Sequence, residues 1–291
     1  MTSGDPGRVV AHLRLPLQLT LAPLYLWGVF GAGGGWSLAT VAAFIAVHVF
    51  LYGGTTLYNS HYDRDEGPIA GMERPTPLPP WALPFSLAWQ VAGLPLVALA
   101  GLPLTLFYVA YAAMGALYSH PGPRLKKRPY VSTGLIFLFQ GVGGVLAGWL
   151  ASGRPLASLA GERFPLMALV AACTTIGLYP LTQIYQVDED AARGDRTLAM
   201  VLGPRRSFTF ALAMFLVAAV AGVRVLARMG RPLDGVLLAG GYLALGALTA
   251  AVGLQFSRQP LLVNFRRLVL VQVAGGAAFA AFVALQLAHP F

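Results

Sequence analysis

The stretch LYNSHYDRDEGPIAGMERPTPLPP, residues 57–80, ends a long apolar run with polar and charged side chains: Asn59, Asp63, Asp65, Glu66 and Arg74. A second such stretch, YPLTQIYQVDEDAARGDRTLAMVLG, occupies residues 179–203. The chain contains 11 acidic residues, and eight of them lie in these two stretches: Asp63, Asp65, Glu66, Glu73, Asp188, Glu189, Asp190 and Asp195. A chain that is so poor in carboxylates and gathers most of them at two points is expected to hold a cationic group there.

The composition identifies the chain as an integral membrane protein. It is 57% hydrophobic and 11% charged, with a mean hydropathy of +0.67, whereas soluble domains carry roughly 25% charged residues. The single cysteine, Cys173, excludes an intrachain disulfide framework and a multi-cysteine zinc site. The net charge of +9 indicates loop topology and contact with anionic membrane lipid rather than nucleic-acid binding.

Nine apolar runs are suited to crossing a bilayer, which takes about 20 residues per helix. They cover residues 15–32, 36–58, 81–100, 102–118, 131–150, 165–185, 207–228, 233–256 and 265–289. Their length and lack of alternation favour helices over the strands of a membrane barrel. The sequence therefore predicts an all-α integral membrane protein, with nine transmembrane helices in a single domain over residues 1–291. The break at Gly101 is equally consistent with a tight turn and with a kinked helix.

The distribution of basic residues predicts the orientation in the membrane. With a cytoplasmic N-terminus, 15 of the 20 lysines and arginines fall in cytoplasmic segments; the other five are Arg154, Arg163, Arg224, Arg228 and Arg231. Basic residues favour the cytoplasmic face. We therefore expect a multi-pass protein of a bacterial-type inner membrane, with the N-terminus and both acidic stretches at the cytoplasmic face.

The spacing of the polar residues points to a shared metal site. Asn59 and Asp63 are four residues apart and share one face of a helix, and Gln186 and Asp190 have the same spacing. Oxygen-bearing side chains of this type suit Mg²⁺, which takes one or two carboxylates and completes its shell with water and phosphate oxygens. The candidate metal ligands are Asn59, Asp63, Asp65, Asp188 and Asp190.

Each of these features also has a simpler interpretation. Acidic residues at a membrane surface are often solvated loop charges, and that role is consistent with Asp65, Glu73 and Asp195. A basic run after the fourth apolar segment consists of Arg124, Lys126, Lys127 and Arg128. It either enforces the membrane topology or binds a diphosphate, whose oxygens match the geometry of the arginine side chain.

The two stretches resemble the motifs of the UbiA superfamily of intramembrane prenyltransferases, which includes membrane terpene cyclases. Its members have nine transmembrane helices around a central cavity and two aspartate-rich motifs, after helices two and six. The first motif generally reads N-x-x-x-D-x-x-x-D followed by an R-P pair, and it is matched by Asn59, Asp63 and the pair Arg74-Pro75. The second generally reads D-x-x-x-D-x-x-x-G-x-K/R-S/T, and it is matched by Asp190, Gly194, Arg196 and Thr197.

Two positions depart from the resemblance. Gly67 stands where the last aspartate of the first motif is expected, and Gln186 stands where the first aspartate of the second is expected. Asp65, Glu66 and Asp188 are close in sequence but lie on other helical faces. Either fewer carboxylates hold the metal, or the register is shifted, or this branch has lost catalysis.

The resemblance implies a Mg²⁺-dependent enzyme that binds an allylic isoprenyl diphosphate, with its head group at the cytoplasmic end and its tail between the helices. It implies substrate binding by Arg74, Arg124, Lys126, Lys127, Gln186 and Arg196, and catalysis by Asn59, Asp63 and Asp190. Aromatic rings would stabilise the allylic carbocation; the rings next to the motifs are Tyr58 and Tyr185, and further candidates are Tyr52, Phe137, Phe139, Trp149 and Tyr179.

Three functions remain open from the sequence. A prenyltransferase passes the carbocation to a lipophilic or aromatic acceptor, whereas a terpene cyclase captures it with the double bonds of the substrate itself. A cation-coupled transporter or a non-catalytic ion-binding protein also carries acids inside the membrane. Transporter sites usually lie midway across the bilayer, however, and the acids here lie at helix ends.

Overall fold

The computed structural model of the chain describes residues 6–69 and 71–288, which form a bundle of helices. The helices that are long and apolar enough to cross a membrane number eight in this part of the chain. With two shorter helices, the order is α1 Pro6–Gly31, α2 Leu38–Asp63, α3 Ala82–Ala98, α4 Leu102–Ser119, α5 Pro129–Ala151, α6 Arg163–Gln183, α7 Val187–Ala192, α8 Leu198–Arg228, α9 Pro232–Arg258 and α10 Leu261–Ala288.

This architecture confirms the predicted all-α, multi-pass membrane protein. Over residues 6–69 and 71–288, the only strand-like feature is an isolated bridge between Ile69 and Met72. The third predicted span, residues 81–100, is the apolar helix α3, which is too short to count among the eight. It stops early because Gly101 has a φ of 96°, a conformation that glycine adopts readily. The break at Gly101 is therefore a turn between two helices. The last predicted span ends at His289, which lies outside the described residues.

The core of the bundle lies between α1, α5, α6 and α8. The fully buried side chains include Trp27 of α1, Met167 of α6 and Phe215 of α8, and the Trp27 indole donates a hydrogen bond to the Met167 carbonyl oxygen at 3.2 Å. A side chain on Gly148 would begin 1.9 Å from the Tyr25 carbonyl oxygen, so α1 and α5 can approach this closely only because that position is glycine.

Both acidic stretches leave the bundle at the same end. α2 ends at Asp63, where Arg64 adopts a left-handed conformation with a φ of 52°. α6 ends at Gln183, and α7 carries the second group of acids before a turn at Gly194, whose φ is 73°. The two groups of carboxylates thus face each other across the end of one bundle.

Candidate active site

Two adjoining cavities run from the acidic end of the bundle into its interior. The smaller cavity has a volume of about 150 Å³ and is lined mainly by polar and charged side chains. The larger has a volume of about 720 Å³ and is lined mainly by apolar and aromatic side chains. The residues that line both are Arg14, Asn59, Tyr118, Tyr179 and Thr182. Because the cavities meet at these residues, a molecule with a polar head and an apolar tail fits across the junction.

The polar cavity brings together residues from both acidic stretches. The predicted site residues that line it are Asn59, Asp63, Asp65, Lys126, Gln186 and Asp190. Asn59 and Asp63 lie on the last turns of α2. Gln186 precedes the first residue of α7, and Asp190 lies one turn later on that helix. The matched i, i+4 spacing therefore places one pair on each side of the cavity.

The first motif is paired with basic residues from the loop between α4 and α5. The Asp63 carboxylate contacts Lys126 Nζ and lies 3.5 Å from Arg124 Nη2. Asn59 Oδ1 accepts hydrogen bonds from Lys126 Nζ at 3.2 Å and from Ser119 Oγ at 2.7 Å. This loop therefore supplies positive charge to the first motif.

Arg193 joins the two motifs. Its Nη1 donates to Asp65 Oδ1 at 2.8 Å, and its Nη2 donates to Asp190 Oδ1 at 2.8 Å. Burial raises the pKa of both carboxyl groups, Asp65 and Asp190. Burial also opposes the charged form of Arg193, but the hydrogen bond to Asp190 and the charge of Asp65 outweigh it, so the pKa of Arg193 is raised. The guanidinium thus remains charged between two partly desolvated acids.

Asp195 is an integral part of this network. Its side chain is 4% exposed, and its two oxygens accept hydrogen bonds from Arg124 Nε at 2.8 Å and Nη2 at 2.7 Å. These bonds raise the pKa of Arg124. The interpretation of Asp65 and Asp195 as solvated loop charges is therefore wrong. It does hold for Glu73, which is exposed and pairs with Arg266 at 2.6 Å.

The carboxylate and amide oxygens at the polar cavity are of the type that Mg²⁺ binds, although the acids form ion pairs with basic side chains in this structure. Over residues 6–69 and 71–288, no three histidine, cysteine or acidic side chains form a preassembled metal cluster. Asn59, Asp63 and Asp190, which carry oxygen donors, nevertheless line one small cavity. Because Mg²⁺ takes few protein carboxylates and completes its shell with water and phosphate oxygens, a loose arrangement of this kind suits it.

The sequence profile of the UbiA prenyltransferase family matches residues 21–270. The chain belongs to this family. Digeranylgeranylglyceryl phosphate synthase of Natronomonas pharaonis is 30% identical to it over 73% of this chain and 74% of the relative. Protoheme IX farnesyltransferase of Aeropyrum pernix is 33% identical over 50% of each chain. Family membership confirms the predicted resemblance and the predicted class of enzyme.

The fold agrees with this assignment. A UbiA homologue from Archaeoglobus fulgidus, solved with DMAPP and Mg²⁺ bound, superposes with a TM-score of 0.69 at 18% identity, over 97% of this chain and 99% of that one. Membership in an enzyme family of this fold favours the enzyme interpretation over a cation-coupled transporter.

Four charged residues predicted for the site of this UbiA-family protein lie away from both cavities. Asp188, Arg74, Lys127 and Arg196 are all exposed. Asp188 precedes Asp190 by two residues on α7, and successive helical residues are rotated by about 100°, so the two carboxylates point in nearly opposite directions. Arg124 does not line the polar cavity either, but it contacts Asp63 and Asp195 beside it.

The predicted aromatic residues divide in the same way. Tyr52, Phe139 and Tyr179 line the larger cavity, whereas Phe137 and Trp149 do not. Tyr58 and Tyr185, predicted to be catalytic, are buried but line neither cavity: Tyr58 packs on Tyr62 and Tyr185 packs on Phe265, each with ring centroids 5.1 Å apart. The two tyrosines are close to the motifs in sequence, but their rings do not line the cavities.

The fold also brings residues to the site that the sequence does not predict. Arg14 precedes the first predicted span, where it indicates only topology, yet it lines both cavities and donates to Ser60 Oγ at 2.7 Å. The Tyr118 hydroxyl lies 2.8 Å from the Tyr179 hydroxyl at the cavity junction. Only the position of Tyr118, at the start of the basic loop, could have indicated a role.

Proposed function

We propose that this UbiA-family protein is a Mg²⁺-dependent membrane prenyltransferase. It ionises an allylic isoprenyl diphosphate and passes the prenyl group to a lipophilic acceptor. The observation that carries this proposal is the junction of a polar cavity, lined by acidic and basic side chains, with an apolar cavity of about 720 Å³. This shape suits a diphosphate head group joined to a prenyl tail better than it suits a small ion alone.

The basic residues at the polar cavity would bind the diphosphate. Lys126 and Arg193 line the cavity, and Arg14 lies at its junction with the larger cavity. Arg14 Nε is buried and has no hydrogen-bond partner among the described residues, so its N–H group is available to donate to a phosphate oxygen. Arginine and lysine donors of this kind stabilise the negative charge that develops on a departing pyrophosphate.

The acidic residues would hold the metal. We assign this role to Asp63 and Asp190, with Asn59 and Asp65 as supporting oxygen donors. Bound Mg²⁺ would neutralise charge on the leaving group. In this structure Lys126 and Arg193 balance these acids. When a diphosphate enters with its metal, the same cations are free to pair with phosphate oxygens, which keeps the cavity close to neutral.

The larger cavity would shelter the reacting carbon. Tyr118 and Tyr179 lie at its mouth, and Tyr52 and Phe139 line its wall. A low-dielectric wall excludes water that would quench the carbocation, and aromatic ring faces attract a nearby cation. The hydroxyl pair of the two tyrosines fixes both rings at the point where the head group and the tail would meet.

Prenyl transfer is preferred to cyclisation because the matched relatives include a digeranylgeranylglyceryl phosphate synthase and a protoheme IX farnesyltransferase. We further propose that the polar cavity opens to the cytoplasmic face, because the basic residues are concentrated at that end of the predicted topology. The isoprenyl diphosphate would then enter from the cytoplasm, and the acceptor would enter from the bilayer.

An assay of the purified wild-type protein in detergent tests this function. Geranyl, farnesyl and geranylgeranyl diphosphate would be supplied separately, with Mg²⁺ or with EDTA and with or without lipophilic alcohols, phenols and quinone precursors. We expect pyrophosphate release and a prenylated product only when both Mg²⁺ and an acceptor are present. A cyclic hydrocarbon formed without acceptor would show a cyclase instead. The absence of turnover and of Mg²⁺-dependent diphosphate binding under all conditions would contradict the proposal.

A further inference from the structure

Glu189, which no part of the proposed chemistry uses, makes a direct contact between the two acidic stretches. Its Oε1 accepts a hydrogen bond from the backbone amide of Gly67 at 2.6 Å and another from that of Glu66 at 3.1 Å. We propose that Glu189 is a positioning residue: from α7 it holds the loop after α2 in place and so sets Asp63 and Asp65 opposite Asp190. Its effect on catalysis rests on the proposed function, whereas its effect on the loop does not.

The Glu189 carboxylate also packs closely against the glycine at position 67. A Cβ built on Gly67 would lie 3.2, 3.3 and 3.4 Å from the Oε1, Cδ and Oε2 atoms of Glu189. The backbone there does not require glycine, because Gly67 is not among the residues with positive φ. The space beside Gly67 is therefore taken by a carboxylate from the second stretch, at the position where the first motif departs from the family pattern.

A second contact holds the other end of the same loop. Arg193 lies one helical turn after Glu189, and its Nη1 donates to the Asp63 carbonyl oxygen at 3.3 Å as well as to the Asp65 carboxylate. Glu189 binds residues 66 and 67, and Arg193 binds residues 63 and 65. Two side chains four residues apart thus fix the whole segment 63–67 against the second stretch.

Charge makes the Glu189 contact strong. A carboxylate that accepts two backbone amide hydrogen bonds forms charge-assisted bonds, which are about twice as strong as neutral ones. Its second oxygen, Oε2, is buried and has no hydrogen-bond partner in the described part of the chain. Removing the side chain would therefore free the amides of residues 66 and 67, while a glutamine would keep one carbonyl acceptor and hold these amides in part.

Hydrogen exchange of the full-length protein in detergent tests the contact without relying on activity. We expect Glu189→Ala to speed exchange in peptides covering residues 64–69 by at least about tenfold, because the amides of residues 66 and 67 lose their charged acceptor. Glu189→Gln should give an intermediate rate. The matched control is Glu66→Ala, which removes an exposed carboxylate from the same loop but keeps the amide, and it should exchange as the wild type does. Unchanged exchange in Glu189→Ala would overturn the proposal.

A double-mutant cycle tests the pairing of the two positions. Gly67→Asp alone should raise the KM for the isoprenyl diphosphate by about tenfold, because it displaces and repels the Glu189 carboxylate. In the Glu189→Ala background the same substitution should change KM by less than about twofold, since neighbouring sites that act through one contact are not additive. Equal effects in both backgrounds would overturn the pairing. If the wild type has no turnover, the proposed function fails, and the exchange data still decide the role of Glu189.

Discussion

Replacing Asp63 with asparagine is expected to lower Mg²⁺-dependent turnover of an isoprenyl diphosphate by about 100- to 1,000-fold, the scale on which a single electrostatic contact to a developing charge operates. The substitution keeps the shape of the side chain and one oxygen, but it removes the charge that contacts Lys126 and that would bind the metal. We expect Asp190→Asn to cause a loss of similar size, because Asp190 lines the same cavity from the other stretch.

Pyrophosphate release measured over a range of Mg²⁺ concentrations checks this expectation. Both variants should need more Mg²⁺ for half-maximal rate and should elute from gel filtration as the wild type does. Glu162→Gln is the control, because Glu162 is an exposed acid next to the first turn of α6, at the opposite end from the site, and pairs with Arg224 and Arg228. Wild-type turnover in both aspartate variants would show that neither carboxylate takes part.

Replacing Asp195 with alanine is expected to destabilise the fold by about 3–5 kcal/mol, the usual cost of removing one partner of a buried ion pair. Arg124 is only 13% exposed and would lose both of its hydrogen bonds to Asp195, so its charge would keep only the longer contact of 3.5 Å with Asp63. Arg124 lies in the loop between α4 and α5, two residues before Lys126. Loss of its bonds to Asp195 would therefore also loosen Lys126 at the polar cavity.

Thermal unfolding in detergent measures this cost, and a double-mutant cycle isolates its cause. Asp195→Ala should lower the Tm by several degrees, and Asp195→Ala with Arg124→Ala should lower it by less than the sum of the two single changes. The control is Glu73→Ala, which removes an exposed ion pair with Arg266 and should leave the Tm unchanged because exposed pairs contribute little. Strictly additive effects would mean that the buried pair does not stabilise the fold.

The helical architecture was predictable because bilayer-spanning helices must be long and apolar. The predicted runs therefore overlap the spans, apart from α3, although α1 begins at Pro6 and not at residue 15, and α8 begins at Leu198 and not at residue 207. The i, i+4 spacing of Asn59 and Asp63 likewise predicts a shared face, and the fold places both side chains at one cavity. Local periodicity is sufficient for these features because they depend on a single helix.

The contacts between distant segments were not predictable in this way. Arg14, which lines the site, has a φ of 49° at a break between two helical segments, and no periodicity in the sequence marks that break. Asp195 follows Gly194 in a loop, so the sequence does not distinguish a buried ion pair from a solvated charge. The Tyr185 ring next to the second motif packs on Phe265, a contact that depends on tertiary packing, whereas Tyr58 packs on Tyr62 four residues later in the same helix.

The proposed function requires that the two cavities form one site for a single amphipathic substrate. The most direct test is a structure of the wild-type protein with Mg²⁺ and a non-cleavable farnesyl thiodiphosphate. We expect the diphosphate between Asp63, Lys126, Arg193 and Asp190, with the tail beside Phe139 in the larger cavity. An analogue that binds outside both cavities, or whose head group lies away from the two acidic stretches, would contradict it.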